Sequence, residues 1–209
     1  MLVREWMTEG PKTVEGKTQV MEAMQLLREG GYRRLPVVEK GKLVGIATDR
    51  DLKEATPSKA TTLSVYELNY LLSKLQVRDV MTTPVITVQS GDPIEQAALL
   101  KEEHKVSGLP VLDGNDLVGI FTITDLLRAF VTFLGLREGG TRVTAELPDE
   151  PGVLARVAQA GPPSNIHAVV TAGIRSGHKR TVVMRVSGDG ADAFADRLRE
   201  RGVDVTDER

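Results

Sequence analysis

The chain has 209 residues, 41% of them hydrophobic and 27% charged, and a formal net charge of -2. A protein that works by neutralising a phosphate backbone is usually basic, so this balance excludes nucleic acid as a partner. The absence of cysteine excludes disulfides, thiol catalysis and any zinc site that needs sulfur.

The N-terminal stretch MLVREWMTEG carries Arg4 and Glu5 and no apolar core, so no signal peptide is expected. The longest apolar run, around Ala129 to Leu136, is too short to span a bilayer. The expectation is a cytoplasmic protein with no membrane partner. The dominant feature is an internal repeat. Val3-Arg4, Met7-Thr8, Thr13-Val14, Leu35-Pro36-Val37, Leu43-Val44-Gly45-Ile46, Thr48 and Asp51 all recur 74 residues later, without a gap. The last of these recur as Thr122 and Asp125.

Each copy predicts the same elements. An extended Thr-Val step leads into an amphipathic helix, Thr18 to about Glu29 in the first copy, with Val20, Met21, Met24 and Leu27 on its apolar face. In the second copy Asp92 has the character of an N-cap, Pro93 of the first helical residue and Glu95 of a first-turn acid. Strands Leu35 to Glu39 and Lys42 to Thr48 follow, joined at Lys40-Gly41, and Asp113-Gly114-Asn115 is the matching turn. A second helix starts near Asp49 and near Ile123. Between the copies, residues 57 to 76 form a linker that ends in a helix: Ser64 and Glu67 have capping-box spacing, and Val65, Leu68, Leu72 and Leu75 share a face. Its Tyr66 and Tyr70 suit either packing on neighbours or contact with another subunit.

The phrases GIATDRD and GIFTITD close the second strand of each copy. Thr48 and Asp51, like Thr122 and Asp125, have the spacing of a helix cap with an acid at the positive end of the dipole. A ligand could use the same place. Free N–H groups at a helix start receive phosphate, a carboxylate can accept from both ribose hydroxyls, and Gly45 would let a backbone come close. Both readings stay open on these residues alone.

The correlated motifs resemble a pair of CBS domains, over residues 1 to about 135. That resemblance implies two clefts between the units that take adenine nucleotides (AMP, ADP or ATP) or related adenosyl ligands as regulators, with no cofactor. It places the ribose acid at Asp51 and Asp125 and the neighbouring hydroxyl at Thr48 and Thr122. Base contacts fall on Thr13, Val14, Thr87 and Val88, and on the segments holding Pro36 and Pro110. Arg33, Arg34 and Arg50 in the first copy face Ser107, Gly108 and Thr124 at the equivalent positions of the second, so phosphate is expected in the cleft that holds the arginines. The competing expectation is that these arginines are solvated or pair with Glu39 and Asp49.

Past Gly139-Gly140 the repeat stops. Thr141 to Leu147 alternates as a strand, and LPDEPGVLARV turns into a helix with Asp149 as cap, Pro151 at its start and Leu154 and Val157 inward. Strands Ile166 to Thr171 and Arg180 to Val186 are joined at Arg175-Ser176-Gly177. A helix Ala191 to Arg201 buries Phe194 and Leu198, and Val203 to Thr206 is a last strand. The order is that of a ferredoxin-like domain. The phrase D-E-P-G-V-L resembles the turn of ACT domains, which implies an amino-acid site at Asp149, Gly152, Val153, Leu154, Asn165 and Ile166. The layout as a whole resembles proteins of the acetoin-utilisation B type.

The expected fold class is α+β: two tandem β-α-β-β-α CBS units (1–56 and 77–136) packed as a pseudo-two-fold pair, then a β-α-β-β-α-β ACT domain (140–209). His104, His167 and His178 are scattered, and no nucleophile elbow, phosphate loop or metal-ligand spacing is present. The expectation is a ligand-sensing regulatory homodimer with a regulated enzyme as partner, not an enzyme itself and without a metal. The alternative is an interaction module that takes no nucleotide.

Overall fold

The computed structural model describes residues 1–55, 66, 70, 73–176 and 179–209. Contacts divide the chain into two compact units, Met1–Leu126 and Leu127–Arg209.

In the first unit a short 3-10 turn Val3–Glu5 precedes strand β1 (Thr8–Glu9). Helix α1 (Val20–Gly30) buries Val20, Ala23 and Leu27; Met21, expected inward, is exposed and Ala23 takes its place. Strands β2 (Arg34–Glu39) and β3 (Lys42–Thr48) form a hairpin that ends in helix α2 (Asp49–Glu54). The second copy repeats this with the turn Val77–Asp79, β4 (Val88–Gln89), α3 (Ile94–His104), β5 (Gly108–Asp113), β6 (Asp116–Thr122) and α4 (Ile123–Phe133). Helix α3 starts one residue later than expected, with Pro93 as its cap. Asp92 instead accepts from the Gln89 N–H, because its carboxylate reaches back into the preceding turn. Gly31 closes α1 in the left-handed region, whereas its counterpart Lys105 holds that strained backbone with a side chain attached. Of the linker helix, Ser64, Val65, Glu67, Leu68 and Leu72 lie outside the described residues; Tyr66 and Tyr70 are helical and exposed.

The copies exchange their leading segments. Thr8 pairs with Ile120, and Thr82 with Ile46. Val3 N–H donates to the Asp92 carbonyl, and Val77 N–H to the Thr18 carbonyl, each at 2.9 Å. Val77, from the second copy, is a fully buried member of the first copy's core with Val20, Leu35 and Val37. The exchange explains two of the repeated motifs at once. Met81 of V-M-T lies over Gly45 of L-V-G-I, and Met7 over Gly119, so that a Cβ at either glycine would overlap the methionine. Gly45 therefore makes room for Met81, which corrects the expectation that it opens the backbone to a ligand.

The second unit opens on β7 (Thr141–Pro148), followed by α5 (Val153–Gln159), β8 (Asn165–Ser176), β9 (Lys179–Ser187), α6 (Phe194–Glu200) and β10 (Asp204–Glu208). The sheet order is β10-β7-β9-β8, all antiparallel, which is the ferredoxin-like arrangement. Val143, Ala145, Leu147, Met184, Phe194 and Leu198 are fully buried in its core. Helix α5 begins at Val153, with Gly152 rather than Asp149 at its cap. Val157 faces inward, but Leu154 is 46% exposed: a helix of seven residues has only a narrow inner face. The β8–β9 turn at Gly177 and His178 lies outside the described residues.

Candidate functional site

The two T-x-x-D motifs fold alike. Thr48 donates from its N–H and its Oγ1 to Asp51 Oδ2, both at 2.8 Å, and the Asp51 N–H returns to Thr48 Oγ1 at 3.3 Å. Thr122 and Asp125 repeat this at 2.7, 2.7 and 3.4 Å. Each is a reciprocal capping box. All three Asp51 bonds leave Oδ1 without a donor among the described residues. Asp51 is half-buried, while Asp125 is only 4% exposed.

The segment before each hairpin is tied to the helix start: Asp49 N–H donates to the Arg33 carbonyl, and Ile123 N–H to the Ser107 carbonyl. Val14 bridges Val37 in parallel and bonds to Pro36, as Val88 pairs with Val111. Val14, Val88, Pro36 and Pro110 are buried, so these positions offer backbone edges and little side-chain surface. Thr13 is exposed, and Thr87 lines a separate groove of about 430 Å³ beside Val44 and Pro84.

The arginines are not gathered in one cleft. Arg33 and Arg34 line a cavity of about 280 Å³ whose opposite wall is Thr8, Thr122 and Thr124. Arg50 is turned away and ion-paired with Glu54 at 2.7 Å. Arg33 also lines a cavity of about 220 Å³ on the first copy's own side, with Asp49 and Lys53, so, against expectation, the three arginines do not share one cleft: Arg33 borders both, Arg34 reaches the second copy and Arg50 borders neither.

Arg34 reaches across the pair. Its Nη2 donates to Ser107 Oγ at 2.6 Å, and its guanidinium fills the space that a Cβ on Gly108 would need. Its Nη1 is buried and has no acceptor. Burial first, then the Arg33 charge, pull its pKa below the usual arginine range. Behind it lies Lys101, which the sequence reasoning missed. It is 6% exposed, donates to the Phe121 carbonyl at 3.0 Å and stands over the Phe121 ring. Burial and the Arg34 charge pull its pKa down to about 8, with Asp125 pulling the other way. Its counterpart in the first copy is Leu27, and a lysine replacing leucine in a repeat was the available signal.

In the second unit Asp149 is engaged by Arg180, at 2.9 Å through Nε and 3.2 Å through Nη2. Val153 and Ile166 pack against the core, whereas Gly152, Leu154 and Asn165 are exposed. Among the described residues no cluster of acids and histidines could hold a metal ion, and no helix is long and apolar enough to cross a membrane.

The fold and the paired capping boxes define a pair of repeated units followed by a ferredoxin-like domain. Residues 3–58 and 77–132 match the CBS domain, and residues 139–209 match the TTHA0829-like ACT domain. The chain belongs to the CBS-domain family, with an ACT domain at its C-terminal end.

The CBS domain-containing protein YhcV of Bacillus subtilis is 31% identical over 59% of this chain and 81% of its own length. The L-aspartate semialdehyde sulfurtransferase of Methanocaldococcus jannaschii is 31% identical over 62% of this chain, but the match spans only 23% of that enzyme.

Among solved structures, the CBS pair of protein MJ0100, in complex with 5-methylthioadenosine and S-adenosyl-L-methionine, is 30% identical with a TM-score of 0.53 (63% of this chain, 97% of that one). CBSX2 in complex with AMP is 33% identical with a TM-score of 0.52 (63% and 96%). A Vibrio cholerae protein assigned to acetoin utilization is 29% identical with a TM-score of 0.55 (66% and 96%).

Proposed function

We propose that the CBS pair is a sensor for an adenine nucleotide or related adenosyl ligand, whose phosphate sits between Arg33 and Arg34 on one wall and Thr122 and Thr124 on the other. The observation that carries this is the buried Arg34 Nη1, a cationic donor with no acceptor at a cavity edge. A buried donor left unmet costs free energy, and a phosphate oxygen is its natural acceptor. The similarity to CBS pairs solved with AMP and with S-adenosyl-L-methionine supports the ligand class. Asp51 and Asp125 take the ribose hydroxyls; the capping bonds of Asp51 use a single carboxylate oxygen, Oδ2. The D-E-P-G-V-L turn is left without a ligand in this reading, since Asp149 is held by Arg180. Ligand binding alters the packing of the pair, and a homodimer passes that change to a regulated enzyme; the chain itself performs no catalysis.

Calorimetric titration with AMP, ADP, ATP, methylthioadenosine and S-adenosylmethionine tests this, with light scattering of the same samples reporting the assembly. Saturable heat with at least one is expected, weakened by Asp51→Ala or Asp125→Ala. No heat and no thermal shift with any of them would leave capping as the whole role of both motifs and return the interaction-module alternative.

A further inference from the structure

The sheet of the second unit has two faces. Val143, Ala145, Val182, Met184 and Val186 turn toward the core packed by α5 and α6. Alternation along β7 and β9 sends Arg142, Thr144, Val183 and Arg185 to the other face. A cavity of about 230 Å³ lies there. Its apolar walls are Phe130 of α4, Leu134 just beyond it, and Val170 and Val183 of the sheet, with Arg142 and Arg185 beside them.

Its arginines mark this cavity as more than a packing gap. Arg142 and Arg185 are direct register partners across β7 and β9. Like charges so placed weaken a strand pair, and an anion between them would reverse that. Asp207 answers Arg142 at 2.6 Å. Arg185 has only the carbonyls of Gly139 and Gly140, at 3.3 and 3.2 Å, and no carboxylate pairs with it among the described residues.

We infer that this cavity binds a small apolar monocarboxylate. The carboxylate rests on Arg185, where a guanidinium offers two parallel donors, and a branched tail lies against Phe130, Leu134, Val170 and Val183. The volume is below the ~300 Å³ at which drug-sized pockets begin, which limits the tail to a few carbons. Asp207 already accepts from Arg142 and Arg209, so it offers no seat for an ammonium group. The ligand is a plain or keto acid rather than an amino acid, and the site lies away from the Asp149–Leu154 turn.

Isovalerate and its neutral isostere isovaleramide test this on the full chain by calorimetry, with leucine as the amino-acid comparison. Saturable binding of isovalerate is expected, one per chain, with isovaleramide and leucine weaker by about tenfold or more. Arg185→Gln should weaken isovalerate by about tenfold. Val170→Trp, at a position 37% exposed, should abolish binding by filling the cavity while the unfolding midpoint holds. Absence of saturable isovalerate binding, equal affinity for the amide or for leucine, or an unchanged Arg185→Gln would each overturn the inference. The acid-against-amide comparison needs only the native chain, so a variant that misfolds does not blunt it.

Discussion

The two CBS copies share a backbone plan but differ in the charge at equivalent positions. At the place where α1 buries Leu27 in the first copy, α3 buries Lys101 in the second; where β2 begins with Arg34, β5 begins with Gly108. The two differences are one device. Gly108 leaves the space that the Arg34 guanidinium fills, and Lys101 lies close enough behind it to feel its charge. Of the cations that differ between the copies, Arg34 and Lys101 stand on the side of Thr122 and Asp125. The capping boxes themselves did not diverge.

The largest expected effect breaks this asymmetry at Arg34. Arg34→Ala should weaken AMP by about tenfold to a hundredfold, the worth of a hydrogen bond to a charged group, and leave methylthioadenosine, which has no phosphate, unchanged. Calorimetry with both ligands checks it, and equal losses for the two would show that Arg34 supports the fold rather than the phosphate.

Next comes Lys101→Leu, which copies the first repeat into the second. Burial lowers the lysine pKa from 10.5 to about 8. Between those values the unfolded chain holds a proton that the folded chain has released, so native stability rises with pH across that window. Below it the full cost of a buried charge is present. Lys101→Leu should therefore stabilise the protein by about 1–2 kcal/mol at neutral pH and flatten the rise at alkaline pH. Urea unfolding on both sides of the window measures this.

The smallest effect tests what the halves have in common. Thr48→Ala and Thr122→Ala each remove one capping hydroxyl from near-identical geometry, so each should cost about 1 kcal/mol. Unequal costs in urea unfolding would show that the second cap is coupled to the buried charges around it.

Much of the architecture was legible because local chemistry sets it. The hairpins of both copies lie where alternation and Gly turns place them, and β3 runs from Lys42 to Thr48 as its pattern implies. The caps Thr48 and Thr122 were legible for the same reason. Helix faces were less so: Met21 and Leu154 have helical spacing but point outward, since spacing gives a period and not which neighbours cover it. Asp149 had the look of a cap and instead meets Arg180, thirty-one residues away in the chain.

By itself the sequence determined that there are two copies, what elements each contains, and which acids and hydroxyls stand at the helix starts, because these depend on contacts within a few residues. Only the tertiary structure decided which cleft receives the arginines. The exchange of Val3–Thr8 and Val77–Thr82 between copies, sealed by Met7 over Gly119 and Met81 over Gly45, goes with an Arg34 that reaches the second copy's Ser107 and Thr122, while Arg33 borders both sides. Pairing across the repeat is a long-range choice of burial, and no local pattern in GIATDRD or GIFTITD encodes it.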